Sequence, residues 1–283
     1  MLSIHTSSSG QAAINALSRA SQAQSSAATR LSTGYRINFA MDDAAGLQIA
    51  TRLASQMSGT RVAMRNIQNG ISLMQVADGV MDGLSSLFGR MRDLALQAAD
   101  ASTTEDDKLA LQSEFTQLYR QAWEVRGTSY AGQSLFVDRV DDPAKFGSPL
   151  SLQIGGDSAN VLHADFGEAM YLSATGFIYT DPTDFGDLLT EHASKAVDDM
   201  GKAVVALASA RSIFGAVGNR LESAYQSASN LLVNTTEAKG RLVDTDYATE
   251  SANHITSQML MQSSAAMLKQ SNSLQQMTLS LLQ

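Results

Sequence analysis

Apolar residues recur at alternating steps of four and three along three long stretches of the chain, which is the spacing of one buried face of a bundled α-helix. The longest series begins at Leu189 and ends at Leu242, and Thr235 is its one polar member. A single helix over this stretch would be about 80 Å long, at ~1.5 Å per residue. The pattern therefore predicts an elongated molecule rather than a compact globule.

Two further series lie in the first half of the chain. The series over residues 53–98 changes register at Met74, where two steps of three meet, and this predicts a local change of supercoil. The series over residues 111–125 follows an N-cap candidate, Thr104, and acidic residues of a first helical turn. The three series together predict a mainly α fold, an antiparallel, coiled-coil-like rod of long helices.

The two ends of the chain carry thinner apolar stripes. Each stripe is too sparse to hold an isolated helix, so we expect the terminal helices to pair with each other. Even as a pair they would bury little, and the apolar side chains left over predict contacts with further copies of the chain. The predicted assembly residues are Ile14, Leu17, Leu31, Leu260, Met267, Leu274 and Leu281.

All 3 prolines of the chain fall between residues 143 and 182. This places a short, turn-rich insert between two long helical flanks. Inside the insert, SLQIGGDSANVL predicts a β-hairpin that turns at Gly155-Gly156-Asp157. The predicted organisation is a terminal helix pair (1–45 with 241–283), a rod (46–137 with 187–240) and a small insert (138–186).

Composition excludes several classes of function. The chain of 283 residues has no cysteine, which removes thiolate metal sites and cysteine nucleophiles. Its 4 histidines lie far apart, and no zinc-protease, nucleophile-elbow, dinucleotide or P-loop motif is present. We predict no enzyme activity, cofactor or metal. No apolar run reaches the ~20 residues of a membrane span, which predicts no membrane insertion.

Charge is distributed unevenly along the chain. Residues 1–77 carry six arginines and two aspartates, a local +4, within a net charge of −8. This asymmetry favours electrostatic pairing between copies over nucleic-acid binding.

Three blocks of sequence resemble bacterial flagellins. The block LSTGYRINFAMDDAAG at 31–46 resembles the N-terminal signature, residues 70–99 resemble the next segment, and GRLVDTDYATESA at 240–252 with the final SLLQ resembles the C-terminal end. The resemblance is to a short flagellin with a minimal outer domain. The signature residues are Leu31, Gly34, Arg36, Ile37, Asn38, Asp42, Asp43, Ala44, Gly46, Asp246 and Tyr247.

The resemblance implies a structural subunit that self-assembles into the flagellar filament, with the terminal helix pair in the inner tube and the insert facing outward. It also implies unfolded export without cleavage to the extracellular flagellum, an export chaperone on the C-terminal helix, and contacts with hook-filament junction and cap proteins. The lack of cysteine suits a chain that passes a narrow channel unfolded.

The resemblance further implies a motif for the vertebrate Toll-like receptor for flagellin. Arg90, Leu94, Gln97 and Glu114 occupy the matching positions, whereas Gly89 replaces a bulkier polar residue. In the alternative reading, Arg90 and Glu114 form only surface and inter-subunit contacts.

Two other functions stay open. A hook-filament junction protein shares both terminal signatures, although such proteins more often have proline where Ala44-Ala45-Gly46 stands here. A flagellin-like surface protein that binds polysaccharide would use aromatic side chains of the insert for sugar stacking. The candidates are Tyr171, Phe177, Tyr179 and Phe185.

Overall fold

A computed structural model describes residues 8–136, 144–166 and 188–281. Most of these residues are helical, and the predicted mainly α fold of long helices, a paired set of termini and a hairpin-bearing insert is confirmed. In chain order the elements are α1 (Ser8–Thr33), α2 (Ala44–Ala98), α3 (Glu105–Arg126), β1 (Ser129–Tyr130), β2 (Gln133–Ser134), β3 (Leu150–Gln153), β4 (Val161–Ala164), α4 (Leu188–Glu191), α5 (Ala193–Val243) and α6 (Tyr247–Leu281).

The chain divides into two compact units. Met1–Gln56 and Val233–Gln283 form the terminal unit, and Met57–Leu232 forms the central unit. Both divisions fall inside a long helix, since α2 and α5 each contribute to both units. The three-part organisation expected from the sequence stays a prediction.

The central unit has one apolar core built from α2, α3 and α5. The register change of α2 lies inside this core, because Met74, Ala77 and Met81 are all buried. Alanines buried at the helix contacts, such as Ala95 and Ala196, allow the helices to pack closely.

Helix α3 begins at the predicted cap. The Asp107 amide donates to the Thr104 hydroxyl at 3.3 Å, and the Thr104 amide donates to the Asp107 carboxylate at 3.3 Å. The fully buried line of this helix, however, differs from the predicted stripe, whose members Leu111, Leu118 and Val125 are only half-buried. It consists of Gln112, Phe115, Tyr119, Ala122 and Arg126. The predicted stripe includes two of these residues, Phe115 and Ala122, and an apolar count missed the other three because their side chains have polar ends.

The late helix is interrupted at His192, where the sequence predicts one continuous helix from Leu189. The Leu189 amide donates to the buried Gln112 side chain at 2.8 Å, which ties α4 to α3. The His192 carbonyl accepts from Lys195 and Ala196 at 3.0 and 3.1 Å and begins α5 as a new helix.

The predicted hairpin of the insert is present. Strands β3 and β4 pair antiparallel, from Leu150 opposite Ala164 to Gln153 opposite Val161. Its loop rests on α2, where a Cβ built on Gly59 would lie 3.0 Å from the Gly156 Cα. The space therefore favours glycine at position 59, whereas a Cβ on Gly156 would lie 3.5 Å from the Gly59 backbone, an ordinary contact. Pro143, Pro182 and the four candidate sugar-stacking aromatics lie outside the described residues.

Aromatic rings join the insert to the core of the central unit. Phe146 and Phe166 stand edge to face with ring centroids 4.9 Å apart, and each lies 5.0 Å from the Phe214 ring on α5. A second turn, between β1 and β2, has positive φ at Ala131 and Gly132, as a tight hairpin requires.

Helix α5 contains an 18-residue window with a mean hydropathy of 1.3, long and apolar enough to cross a membrane. One third of that window, 33%, is buried inside the molecule, and a core helix meets the same criterion. The expected lack of membrane insertion stays a prediction.

Candidate assembly surface

The terminal helices α1 and α6 pack against each other, as expected from the sequence. Small and polar side chains form this contact. On α1 the buried residues are Gly10, Ala13, Ala20 and Ala27, and on α6 they are Glu250, Ser257 and Ser264. Arg30 and Glu250 form an ion pair across the contact with Nη1 and Oε1 3.6 Å apart. Such residues bring helices close together but bury little apolar area.

Most large apolar residues of α6 point to solvent instead, whereas Met261 and Leu268 are half-buried. Leu260, Met267 and Leu274 are 54%, 65% and 53% exposed, and Ile14 of α1 is exposed as well. Leu17 and Leu31 are half-buried. Leu281 ends α6, and its side chain lies outside the described residues.

The seven-residue spacing of α6 therefore marks a surface rather than the contact with α1. Sequence reasoning missed three further exposed members, because they fall outside that spacing. They are Ile255, Met259 and Met277. We name Ile255, Met259, Leu260, Met267, Leu274 and Met277 the α6 apolar surface. Exposed large apolar residues grouped on one helix are typical of an interaction site.

A connector of ten residues, 34–43, links α1 to α2 and is tied to the end of α5. The Arg36 amide donates to the Val243 carbonyl at 2.6 Å, and its guanidinium donates to the Leu242 carbonyl at 2.8 Å. The last carbonyls of a helix have no partner within it and carry partial negative charge, so a cation stabilises them. The Thr245 amide completes the tie by donating to the Gly34 carbonyl at 3.0 Å.

Gly34 and Tyr247 meet at this tie. Gly34 has φ +74°, and a Cβ there would lie 3.0 Å from the Tyr247 hydroxyl oxygen. Both the backbone conformation and the space therefore favour glycine.

Asp246 begins α6. Its carboxylate accepts from the Ala248 amide and the Thr249 hydroxyl, at 2.9 and 2.8 Å. Hydrogen bonds from the Thr249 hydroxyl, and then from the Ala248 and Thr249 amides, lower the pKa of the Asp246 carboxyl.

The adjacent carboxylates of the signature fix the connector. Asp42 accepts from the Phe39 and Asn38 amides at 2.9 and 3.0 Å, and these bonds lower the pKa of its carboxyl. Asp43 accepts from the Gly46 amide at 2.8 Å and so begins α2. A Cβ on Gly46 would lie 2.8 Å from the Cδ1 of the buried Ile37.

The signature residues thus share one structural task. The side chains of Asp42, Asp43 and Asp246 bind backbone amides, and glycine stands where the chain passes closest to other atoms. The arrangement holds the N-terminal and C-terminal segments together beside the terminal helix pair. The arrangement can position the surface of the terminal helix pair, and its carboxylates accept hydrogen bonds from backbone amides.

The motif on α2 and α3 is only partly accessible. Arg90 and Glu114 form an exposed ion pair, with Nε and Oε1 3.1 Å apart, and Gln97 is exposed. Leu94 is buried in the core of the central unit, and a Cβ on Gly89 would meet no atom within 4 Å. The structure brings Arg90 and Glu114 together and separates Leu94 from the surface.

A second ionic cluster joins α5 to α2. Arg211 donates to Asp78 at 2.8 Å and to Asp82 at 2.6 Å. The hydrogen bond to Asp78 is the largest of the effects that raise the pKa of the Arg211 guanidinium. The i, i+4 spacing of the two aspartates was the one signal in the sequence that could have indicated a shared partner.

Comparisons with known proteins match both ends of the chain. Residues 4–140 match the bacterial flagellin N-terminal helical region, and residues 197–282 match the bacterial flagellin C-terminal helical region. The chain is 36% identical over 256 residues to a flagellin of Halalkalibacterium halodurans, with 89% of each chain covered. It is 30% identical over 257 residues to the flagellar filament 30.7 kDa core protein of Treponema maltophilum, with 89% of this chain and 90% of that protein covered.

A solved structure shares the fold. The putative flagellar hook-associated protein of Vibrio parahaemolyticus aligns with a TM-score of 0.55 at 14% identity, covering 72% of this chain and 100% of that one. At this identity the likeness concerns the fold alone. The two family matches and the full-length relatives show that the chain belongs to the bacterial flagellin family.

Proposed function

We propose that the chain is a structural subunit of the bacterial flagellar filament and that the terminal helix pair carries its assembly surface. One observation supports the placement above all. The α6 apolar surface stays exposed after α1 and α6 have paired, so a single copy leaves six large apolar side chains of α6 exposed to water. A second copy of the chain is the partner that the family provides.

The energy available from this surface is substantial. Full burial of a leucine or methionine contributes ~1.5–3 kcal/mol, and roughly half of that is left to gain at a half-exposed residue. Leu260, Met267 and Leu274 together therefore offer on the order of 2–4 kcal/mol per subunit. Ile14 is exposed and adds to this surface if the neighbouring copy reaches α1.

The test is seeded growth of purified protein on short filament fragments, followed by electron microscopy. The triple variant Leu260→Ser, Met267→Ser, Leu274→Ser should remain helical by circular dichroism and fail to extend the seeds. The matched control places the same change at three equally exposed apolar residues of the central unit. These are Leu96, Leu109 and Val205. Equal loss of filament growth in both variants would contradict the proposal that the terminal helix pair carries the assembly surface.

We propose the remaining partners from the resemblance to flagellins. The same exposed surface of α6 is apolar and unprotected in a single chain, which supports the binding of an export chaperone there before assembly. We further propose unfolded export to the extracellular flagellum, and junction and cap proteins as the neighbours at the two filament ends. Chaperone binding is tested by titrating the purified export chaperone into the native chain and into the triple serine variant. The variant should bind the chaperone more weakly.

Receptor recognition forms a separate part of the proposal. Arg90, Gln97 and Glu114 are accessible in a single subunit and can contact a receptor directly, while Leu94 supports them from the core. Arg90→Ala should weaken binding to the vertebrate receptor ectodomain, and the exposed Arg120→Ala on α3 is the control. No observation favours the junction-protein or polysaccharide-binding functions.

A further inference from the structure

Methionine is the only sulfur residue of the chain, which has 13 methionines and no cysteine. Among the methionines that the structure describes, four are exposed, and all four lie in the terminal unit. Met41 is in the connector and is 96% exposed, while three others stand on α6. The four exposed methionines are Met41, Met259, Met267 and Met277.

The methionines of the central unit provide the opposite environment. Met74, Met81, Met91 and Met200 are all buried in the core, and Met91 has no exposed surface. Sulfur oxidation requires contact between the thioether and the oxidant, so exposed methionines are oxidised faster than buried ones. Among the described methionines, an exposed group therefore lies in the terminal unit and a buried group lies in the core of the central unit, while Met64 and Met261 are half-buried.

We propose that Met41, Met259, Met267 and Met277 are oxidation sites, and that their conversion to the sulfoxide blocks the assembly of the chain until they are reduced. With hydrogen peroxide, a sulfur lone pair attacks one peroxide oxygen and the O–O bond breaks. The sulfur is oxidised by two electrons to S=O, and the peroxide is reduced to water after a proton moves between its oxygens.

The consequence for assembly rests on the proposed function of the terminal helix pair. Three of the four sites belong to the α6 apolar surface, where a thioether would be buried against a neighbouring copy. The sulfoxide is polar and chiral and would carry an unpaired acceptor into that contact. Met41 stands on the connector, where the Asn38 and Phe39 amides donate to the neighbouring Asp42 carboxylate and fix the local backbone.

The order of oxidation is tested on the full, unassembled chain with dilute hydrogen peroxide and mass spectrometry of its peptides. The four exposed methionines should react at least tenfold faster than Met74, Met81, Met91 and Met200. In filaments, the rates at Met259, Met267 and Met277 should fall at least tenfold, since neighbouring copies cover them. Equal rates at exposed and buried methionines in the free chain would overturn the assignment.

Assembly is tested with the same sample in seeded growth. Peroxide-treated chain should extend seeds at least tenfold more slowly, and treatment with both stereospecific methionine sulfoxide reductases and a dithiol should restore the rate. In that reversal the dithiol is oxidised to a disulfide by two electrons, and the sulfoxide oxygen leaves as water. Growth of the oxidised chain at the native rate would refute the methionine proposal and leave the proposed function intact. Failure of the untreated chain to grow would instead refute the proposed function.

The fourfold variant Met41→Leu, Met259→Leu, Met267→Leu, Met277→Leu supplies the second measurement. Its readout is the ratio of treated to untreated growth rates, so its basal rate does not enter. The ratio should be near one, against at most one tenth for the native chain. A ratio equal to that of the native chain would assign the block to other residues. If this variant does not grow at all, the reductase experiment decides.

Discussion

Two glycines of α2 allow the same substitution to be compared in two environments. Gly59 faces the Gly156 backbone, and a Cβ there would lie 3.0 Å from the Gly156 Cα and 3.5 Å from its carbonyl oxygen. Gly79 lies in the same helix and the same unit, and a Cβ there would meet nothing within 4 Å. The variants Gly59→Ala and Gly79→Ala therefore differ in one contact.

The expected stabilities follow from two opposing effects. Alanine in a helix interior is favoured over glycine by roughly 0.5–1 kcal/mol, and both variants gain this amount. Gly59→Ala also pushes the hairpin loop outward by a few tenths of an ångström, and overpacking of this kind typically costs ~1–3 kcal/mol. We expect Gly79→Ala to be stabilised and Gly59→Ala to be neutral or destabilised.

Urea unfolding followed by circular dichroism measures this difference, and hydrogen exchange over residues 150–164 measures its location. Gly59→Ala should raise exchange in β3 and β4, while Gly79→Ala should leave it unchanged. If both variants gain the same stability and the hairpin exchanges as in the native chain, the close contact between the two backbones has no energetic role.

Three further predictions concern local contacts. Gly34→Ala should cost more stability than Gly132→Ala, since both have positive φ but only Gly34 meets the Tyr247 hydroxyl, and thermal unfolding measures the difference. Thr104→Ala should destabilise the chain by about 1 kcal/mol in urea, through loss of the capping box. The Asp246 carboxylate stabilises α6 fully above its unfolded pKa of about 3.9, and the effect is lost as pH falls through the lower folded value. An acid titration by circular dichroism should therefore show a larger loss for the native chain than for Asp246→Asn.

The helices could be predicted from the sequence wherever apolar side chains alone form the core. The register change at Met74 was visible in the sequence for this reason, since apolar residues before and after it in α2 are buried. The inner line of α3 was not, because Gln112 and Arg126 are buried despite their polar ends. The break at His192 also escaped, since the apolar spacing continues through it, and the hydrogen bond that ties the preceding helix to α3 joins Leu189 and Gln112, which are distant in sequence.

The assembly surface shows a different limit of sequence reasoning. Spacing identified Leu260 and Met267 correctly as one face of a helix, but spacing alone does not say whether that face is inside or outside. The contact with α1 is made by Ser257 and Ser264, which an apolar count ignores. The connector residues were found only through resemblance to a family. The structure shows what they do, because their carboxylates accept hydrogen bonds from backbone amides.

The fully buried residues of α6 are small or polar, and most of its large apolar residues are exposed. The stability of the terminal pair therefore depends on binding to further copies of the chain. A single copy has little apolar burial with which to offset the ordering of two helices. Each docked neighbour buries more apolar surface of the terminal pair. The stability of the pair then rises with the number of docked neighbours, as the stability of any fold rises when a ligand binds to it. We expect a free chain to be cut by protease in α6 and the same bonds to resist cleavage once a filament has closed over them.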